Sequence, residues 1–107
     1  MADLWGALGQ IAPAATTLTD AYTVPTGKHA TVEVIACNRS GAATVRVSHA
    51  AYGAADATNQ YILFDYALAA NATQSTLRFT AGPSDKIRVY ASTATVTFNV
   101  NGIEESA

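Results

Sequence analysis

At 107 residues the chain is one domain long, and with hydrophobic residues at 50% and charged residues at only 13% its surface has to be covered by Thr, Ser, Asn, Gln and Ala; an average soluble domain carries roughly 25% charge. Six basic residues against eight acidic ones give a net charge of -2 with no run of like charge, so the clustered Lys and Arg that neutralise phosphates are missing and no nucleic-acid partner is expected. No apolar stretch approaches the roughly 20 residues that span a bilayer, so no membrane partner is expected either.

Met1-Ala2-Asp3-Leu4-Trp5 carries an acid where a secretory signal carries positive charge, which points to synthesis in a cytoplasm. The segment up to Pro13 contains Leu4, Trp5, Leu8 and Ile11, with Gly6 and Gly9 between them. These glycines suggest an extended arm, residues 1–13, that joins no sheet, ahead of a β-sandwich domain at 14–107. Thr16 to Val24 reads as the first strand, closed by Pro25-Thr26-Gly27, where Pro fixes φ and Gly takes the strained position. His29 to Cys37 follows, then the turn Asn38-Arg39-Ser40-Gly41. Ala43 to His49 sets Thr44, Arg46 and Ser48 against Val45 and Val47, the period-two pattern of a half-buried strand. Ala50 to Asn59 is the longest loop. Gln60 to Tyr66 is an apolar strand, Ala70-Asn71 a turn, and Ser75 to Thr80 a strand with Leu77 and Phe79 on one face. Ala81-Gly82-Pro83-Ser84-Asp85 is the strongest turn signal, with Gly82 free to adopt positive φ. Ile87, Val89 and Ala91 then alternate with Lys86, Arg88 and Tyr90, and Val96, Phe98 and Val100 share the face of a last strand.

No segment holds helical periodicity, so the fold class is all-β: a single-domain antiparallel β-sandwich of about seven strands with an extended N-terminal segment. Jelly-roll and immunoglobulin-like connectivities both satisfy the pattern. Val34-Ile35-Ala36-Cys37 and Tyr61-Ile62-Leu63-Phe64 are apolar on both faces, whereas a sandwich strand needs one apolar face. A loop, the N-terminal segment or a neighbouring subunit has to cover the second face. Leu4, Trp5, Leu8, Ile11, Ile35 and Phe64 are therefore the candidate interface residues.

Residues with chemical potential are few. His29, His49 and Cys37 lack the HExxH or CxxC spacing of a metal site, and no Gly-rich turn of the oxyanion type stands beside Cys37. The single cysteine has no partner for an internal disulfide and reads as a buried thiol. Asp56, Asp65 and Asp85 lie beside turns, where Asp caps the backbone, and Ala54 to Asn59 holds too few acids for a calcium loop. Tyr52, Tyr61, Tyr66 and Tyr90 are the side chains able to offer a sugar-stacking platform. No catalytic, cofactor-binding or metal-binding residue is expected, and no enzyme activity.

Leu8-Gly9-Gln10 ahead of Leu18-Thr19-Asp20-Ala21-Tyr22-Thr23-Val24-Pro25, then Asn38-Arg39-Ser40, Val89-Tyr90-Ala91-Ser92-Thr93 and Phe98-Asn99-Val100-Asn101-Gly102, resembles a group of small proteins encoded by tailed bacteriophages. The resemblance runs over nearly the whole chain, in layout and turns. It implies a virion component of β-sandwich type, such as a capsid decoration, collar, tail or baseplate accessory, and carries over no catalytic residue. The expected partners are other copies of the chain and virion proteins such as a major capsid or tail protein. The alternative is a carbohydrate-binding or host-adhesion module on the virion surface, with Tyr52 and the loop to Asn59 facing a glycan.

Overall fold

The computed structural model describes residues 4–106. Among these residues nine strands run in chain order: β1 (Leu4–Ile11), β2 (Thr19–Thr23), β3 (Lys28–Asn38), β4 (Ala43–Ala50), β5 (Tyr61–Leu68), β6 (Thr73–Ser75), β7 (Phe79–Ala81), β8 (Lys86–Ala91) and β9 (Val96–Ser106). Short 3-10 turns at Ala51–Gly53 and Thr58–Gln60 interrupt the loop between β4 and β5, and there is no α-helix among the described residues.

The pairing is nested. β4 pairs with β5, β3 with β6 and β7, β2 with β8, and β1 with β9, all antiparallel. A chain paired this way is one long hairpin. Rolled up, it brings β9 beside β3 and β8 beside β4, giving one sheet in the order β1-β9-β3 with β6 and β7 along its far edge, and a second in the order β2-β8-β4-β5. This is the jelly-roll connectivity, and it decides between the two arrangements the sequence left open.

Alternate residues of the two sheets meet in a thin, Val-rich core. Ala30, Val32, Val34 and Ala36 of β3 and Val96, Phe98 and Val100 of β9 face Val45, Val47, Ile87, Val89 and Ala91. Branched side chains suit a pleated surface because one rotamer fills the space between neighbouring strands. Phe98 is the one aromatic ring in this fully buried set, and burying it contributes about 1.5–3 kcal/mol.

Three expectations are corrected. Residues from Leu4 onward do join a sheet: β1 pairs with β9 from Leu4↔Glu104 to Ile11↔Phe98, with a bulge between Ala7 and Gly9; residues 1–3 of the expected arm lie outside the described residues. Gly9 is required because a Cβ there would overlap the carbonyl oxygen of Ala21 where β1 crosses β2. Second, the strand expected over Ser75 to Thr80 is split into β6 and β7. Thr76 turns inward, its hydroxyl accepting from the Val34 N–H at 3.0 Å and its own N–H donating to the Val34 carbonyl at 2.9 Å. Leu77 is thereby turned outward, 88% exposed, off the face that Phe79 uses. Third, the positive φ of the 81–85 turn falls on Ser84 (φ 67), not on Gly82.

Candidate assembly surface

Alternation on the second sheet sends Arg46 and Tyr90 outward as directly paired neighbours on β4 and β8. A bulge in β5, with Asp65 at φ 50, sets Phe64 and Asp65 on either side of Arg46. The guanidinium carbon lies 4.4 Å from the Phe64 ring centre and 4.5 Å from that of Tyr90, so the cation is sandwiched between two aromatic faces. Its Nε donates to Asp65 Oδ1 at 2.6 Å, which holds the guanidinium above its ordinary pKa. Tyr61 packs edge-on against Phe64, ring centres 5.0 Å apart. Phe64 is 57% exposed, and Ile62 and Tyr66 of the same edge strand are exposed too.

Farther along this face Lys86 Nζ and Arg88 Nε donate to the two oxygens of Asp20 at 3.0 and 3.1 Å. The Lys86 hydrogen bond, joined by the one from Arg88, outweighs partial burial and keeps the Asp20 carboxyl below the usual carboxylate range. Arg88 also donates to the Ala54 carbonyl at 2.8 Å. The charges on this face are thus paired with one another.

The outer face of the first sheet is different. Trp5, Ile103 and Thr31 form one row across β1, β9 and β3, followed by Ala7, Asn101 and Glu33, and then Gln10, Asn99 and Ile35. Trp5 is 77% exposed, and with Arg78, Thr31, Asn101 and Ile103 it lines a shallow groove floored by Gly6 and Gly102.

Each end of the sandwich is tied by one buried polar side chain. At one end Asn38 donates from Nδ2 to the carbonyls of Gly41, Leu68 (3.1 Å) and Ala69 (3.3 Å), while its Oδ1 accepts from the Ser40 N–H (3.2 Å) and the Thr95 hydroxyl (2.9 Å). At the other end Asp85 accepts from His49 at 2.7 Å and from the N–H groups of Tyr52 and Gly82, both at 2.8 Å. Burial alone would raise this carboxyl, but the hydrogen bonds from Tyr52, His49 and Gly82 outweigh it and hold it below the usual range.

The candidate interface residues divide between these surfaces. Phe64 is in the aromatic stack; Trp5 and the half-buried Ile35 share the outer face of the first sheet, with Leu4 exposed at its edge. Leu8 and Ile11 pack against the core instead. His29 lies near one end of β3 beside Glu105 at 3.3 Å, and Cys37 near the other end, about 25 Å away at the rise of a strand. His49 faces inward against Phe79, ring centres 5.3 Å apart. The three are not brought together, and no group of three potential metal ligands occurs among the described residues. Of the tyrosines, Tyr61 and Tyr90 flank Arg46, Tyr66 bonds Gln74 across the sandwich edge at 2.9 Å, and Tyr52 stands alone, 84% exposed. Asp56 accepts from the Tyr61 hydroxyl at 2.9 Å.

No protein-family model and no curated protein matches the chain. Among solved structures it is similar to a chain of the acidic stable capsid of the Helicobacter pylori bacteriophage KHP30, with TM-score 0.56, 13% identity, and 97% of this chain and 91% of that chain covered. It is also similar to a chain of infectious bursal disease virus, Gx strain, with TM-score 0.57, 10% identity, and 96% of this chain but 31% of that chain covered. What is shared is the fold.

Proposed function

We propose that this chain is a structural component of a tailed-phage virion, docking in many copies on the particle as a capsid decoration or a tail or collar accessory. The observation that carries the reading is the Phe64–Arg46–Tyr90 stack with its charges already paired. Aromatic residues and Arg are enriched at the buried centre of protein interfaces. A face whose ions are neutralised internally can also be covered without stranding a buried charge. The likeness in fold to a chain of a phage capsid, which covers 97% of this chain, supports a virion role. In the bursal disease virus chain the same fold accounts for a third of the length. On this reading the chain performs no catalysis.

The test is retention of purified protein on particles that lack it. Phe64→Ala should weaken binding roughly 30-fold, the effect of losing one interface anchor worth about 2 kcal/mol, while the isolated variant keeps its wild-type circular dichroism. Undiminished binding of this variant would remove the stack from the docking surface, and no binding by the wild type would overturn the reading.

A second reading, host adhesion through a glycan, has one observation in its favour. Tyr52 is held at φ 56 with its ring exposed and its N–H fixed to Asp85, so an aromatic platform is presented rigidly at one end of the sandwich. Glycan-array binding that is lost in Tyr52→Ala and retained in Phe64→Ala would favour it.

A further inference from the structure

We infer that the outer face of the β1-β9-β3 sheet is a contact between two copies of this chain, in which Glu33 of each copy pairs with Arg78 of the other. Among the described residues every other side-chain carboxylate and every other guanidinium has a hydrogen-bonding partner within the chain. Glu33 and Arg78 have none, and both belong to this face. Glu33 alternates with the buried Val32 and Val34 and stands opposite Asn101. Continuing the β7 register would place Arg78 level with Glu33, yet the two form no ion pair, and Arg78 lines the groove beside Trp5 and Ile103 instead.

The charges choose the occupant. A partner presenting only acid, or only base, would satisfy one of these ions and leave the other buried against it, at a cost in desolvation. A second copy related by a two-fold axis satisfies both, because residue i then meets j while j meets i. Apart from Glu105, which faces His29 at one end of the face, the rest is uncharged: Trp5, Ala7, Ile35 and Ile103 supply apolar area, and Asn99 and Asn101 supply hydrogen bonds. Strands about 4.8 Å apart and about eight residues long make a patch of roughly 400–500 Å² per copy, below the roughly 800 Å² of a standard interface. The pair is therefore weak, and forms where copies are crowded.

The contact is measured on the free protein by sedimentation velocity and light scattering up to about 1 mM, so its failure leaves particle docking untouched, and a chain absent from particles leaves this contact untouched. Wild type should dimerise in the range of about 10–100 µM. Glu33→Arg and Arg78→Glu should each weaken the dimer about tenfold or more, since like charges then face each other twice. Mixing the two reversed proteins should restore association to within about threefold of wild type, because every Arg then meets a Glu. A pair formed within one chain would give no such rescue. If a reversal unfolds the chain, Glu33→Gln and Arg78→Gln should each weaken association by about threefold or more. A wild type that stays monomeric, single variants that associate like wild type, or a mixture that stays monomeric would each overturn the inference.

Discussion

Asn38 joins three turns at one end of the sandwich, and replacing it with Ala tests whether that end is held by this side chain. The residue is fully buried, and its amide reaches carbonyls of the β3–β4 turn and of the β5–β6 turn, while its oxygen reaches Thr95 beside the β8–β9 turn. Each such bond contributes about 0.5–1.5 kcal/mol net, and a buried acceptor left unpaired costs about 1–3 kcal/mol. Gly41 and Ala69 are exposed and recover water, whereas the carbonyl of the buried Leu68 loses a hydrogen bond that water does not replace. The sum for Asn38→Ala is about 3 kcal/mol, which for a domain of this size lowers the melting temperature by roughly 10–20 °C. Asn38→Asp should do no better, because a carboxylate cannot donate to the three carbonyls. The assay is thermal unfolding followed by circular dichroism near 218 nm, with hydrogen exchange at Ser40 and Ala72 reporting on the turns. A variant melting within about 3 °C of wild type would refute the reasoning.

Gly102→Ala places a Cβ against the Thr31 carbonyl and 2.9 Å from the Val32 Cα, in the middle of the β3–β9 ladder; the expected loss is about 3 kcal/mol in urea unfolding, and an unchanged midpoint would contradict the close approach. Phe64→Lys should remain folded at a cost of about 1 kcal/mol, the value of its contact with Arg46, and Ile35→Lys, on the outer face of the other sheet, should remain folded too; loss of structure in both, seen by circular dichroism, would return these faces to the core. The Asp85 carboxyl is lower in the folded chain than in the unfolded one, so the folded state binds fewer protons and stability rises with pH through that window. Its contribution is complete above about pH 4 and is lost as pH falls through the depressed value. Asp85→Asn should therefore flatten the acid limb of stability against pH below about pH 4, and an unaltered limb would show that other carboxyls set it.

Strands that bury one face were legible because period two survives wherever water and core lie on opposite sides. Val45 and Val47 against Arg46, and Ile87 and Val89 against Arg88, stand in the structure as the alternation placed them. The same alternation already sent Arg46 and Tyr90 outward. That Phe64 closes over Arg46 was not legible, because it depends on a β5 bulge at an αL Asp that leaves no period in the sequence. β1 was hidden for a related reason. Gly6 and Gly9 are unfavourable in a strand taken alone, and the bulge beside Leu8 breaks the pattern, but Gly9 is what lets β1 cross β2. Thr76 was read as part of a continuous strand because an inward hydroxyl that replaces a strand's own pairing looks like any Thr. Connectivity is a property of long-range pairing and is invisible to local periodicity, so the nested hairpin emerges only in three dimensions. Asn38 was read as the first residue of a turn but is the last residue of β3, paired with Val96; its reach to Leu68 and Thr95 lies far along the chain.

The proposed role requires the chain to be part of a virion in many copies. Quantitative mass spectrometry of virus particles purified from cultures that produce the chain, scaled to the major capsid protein, is the deciding measurement. The chain is expected at a fixed ratio, on the order of tens to hundreds of copies per particle, as for a decoration or tail accessory built on closed symmetry. Particles that are complete and infectious without the chain in any reproducible amount would contradict it.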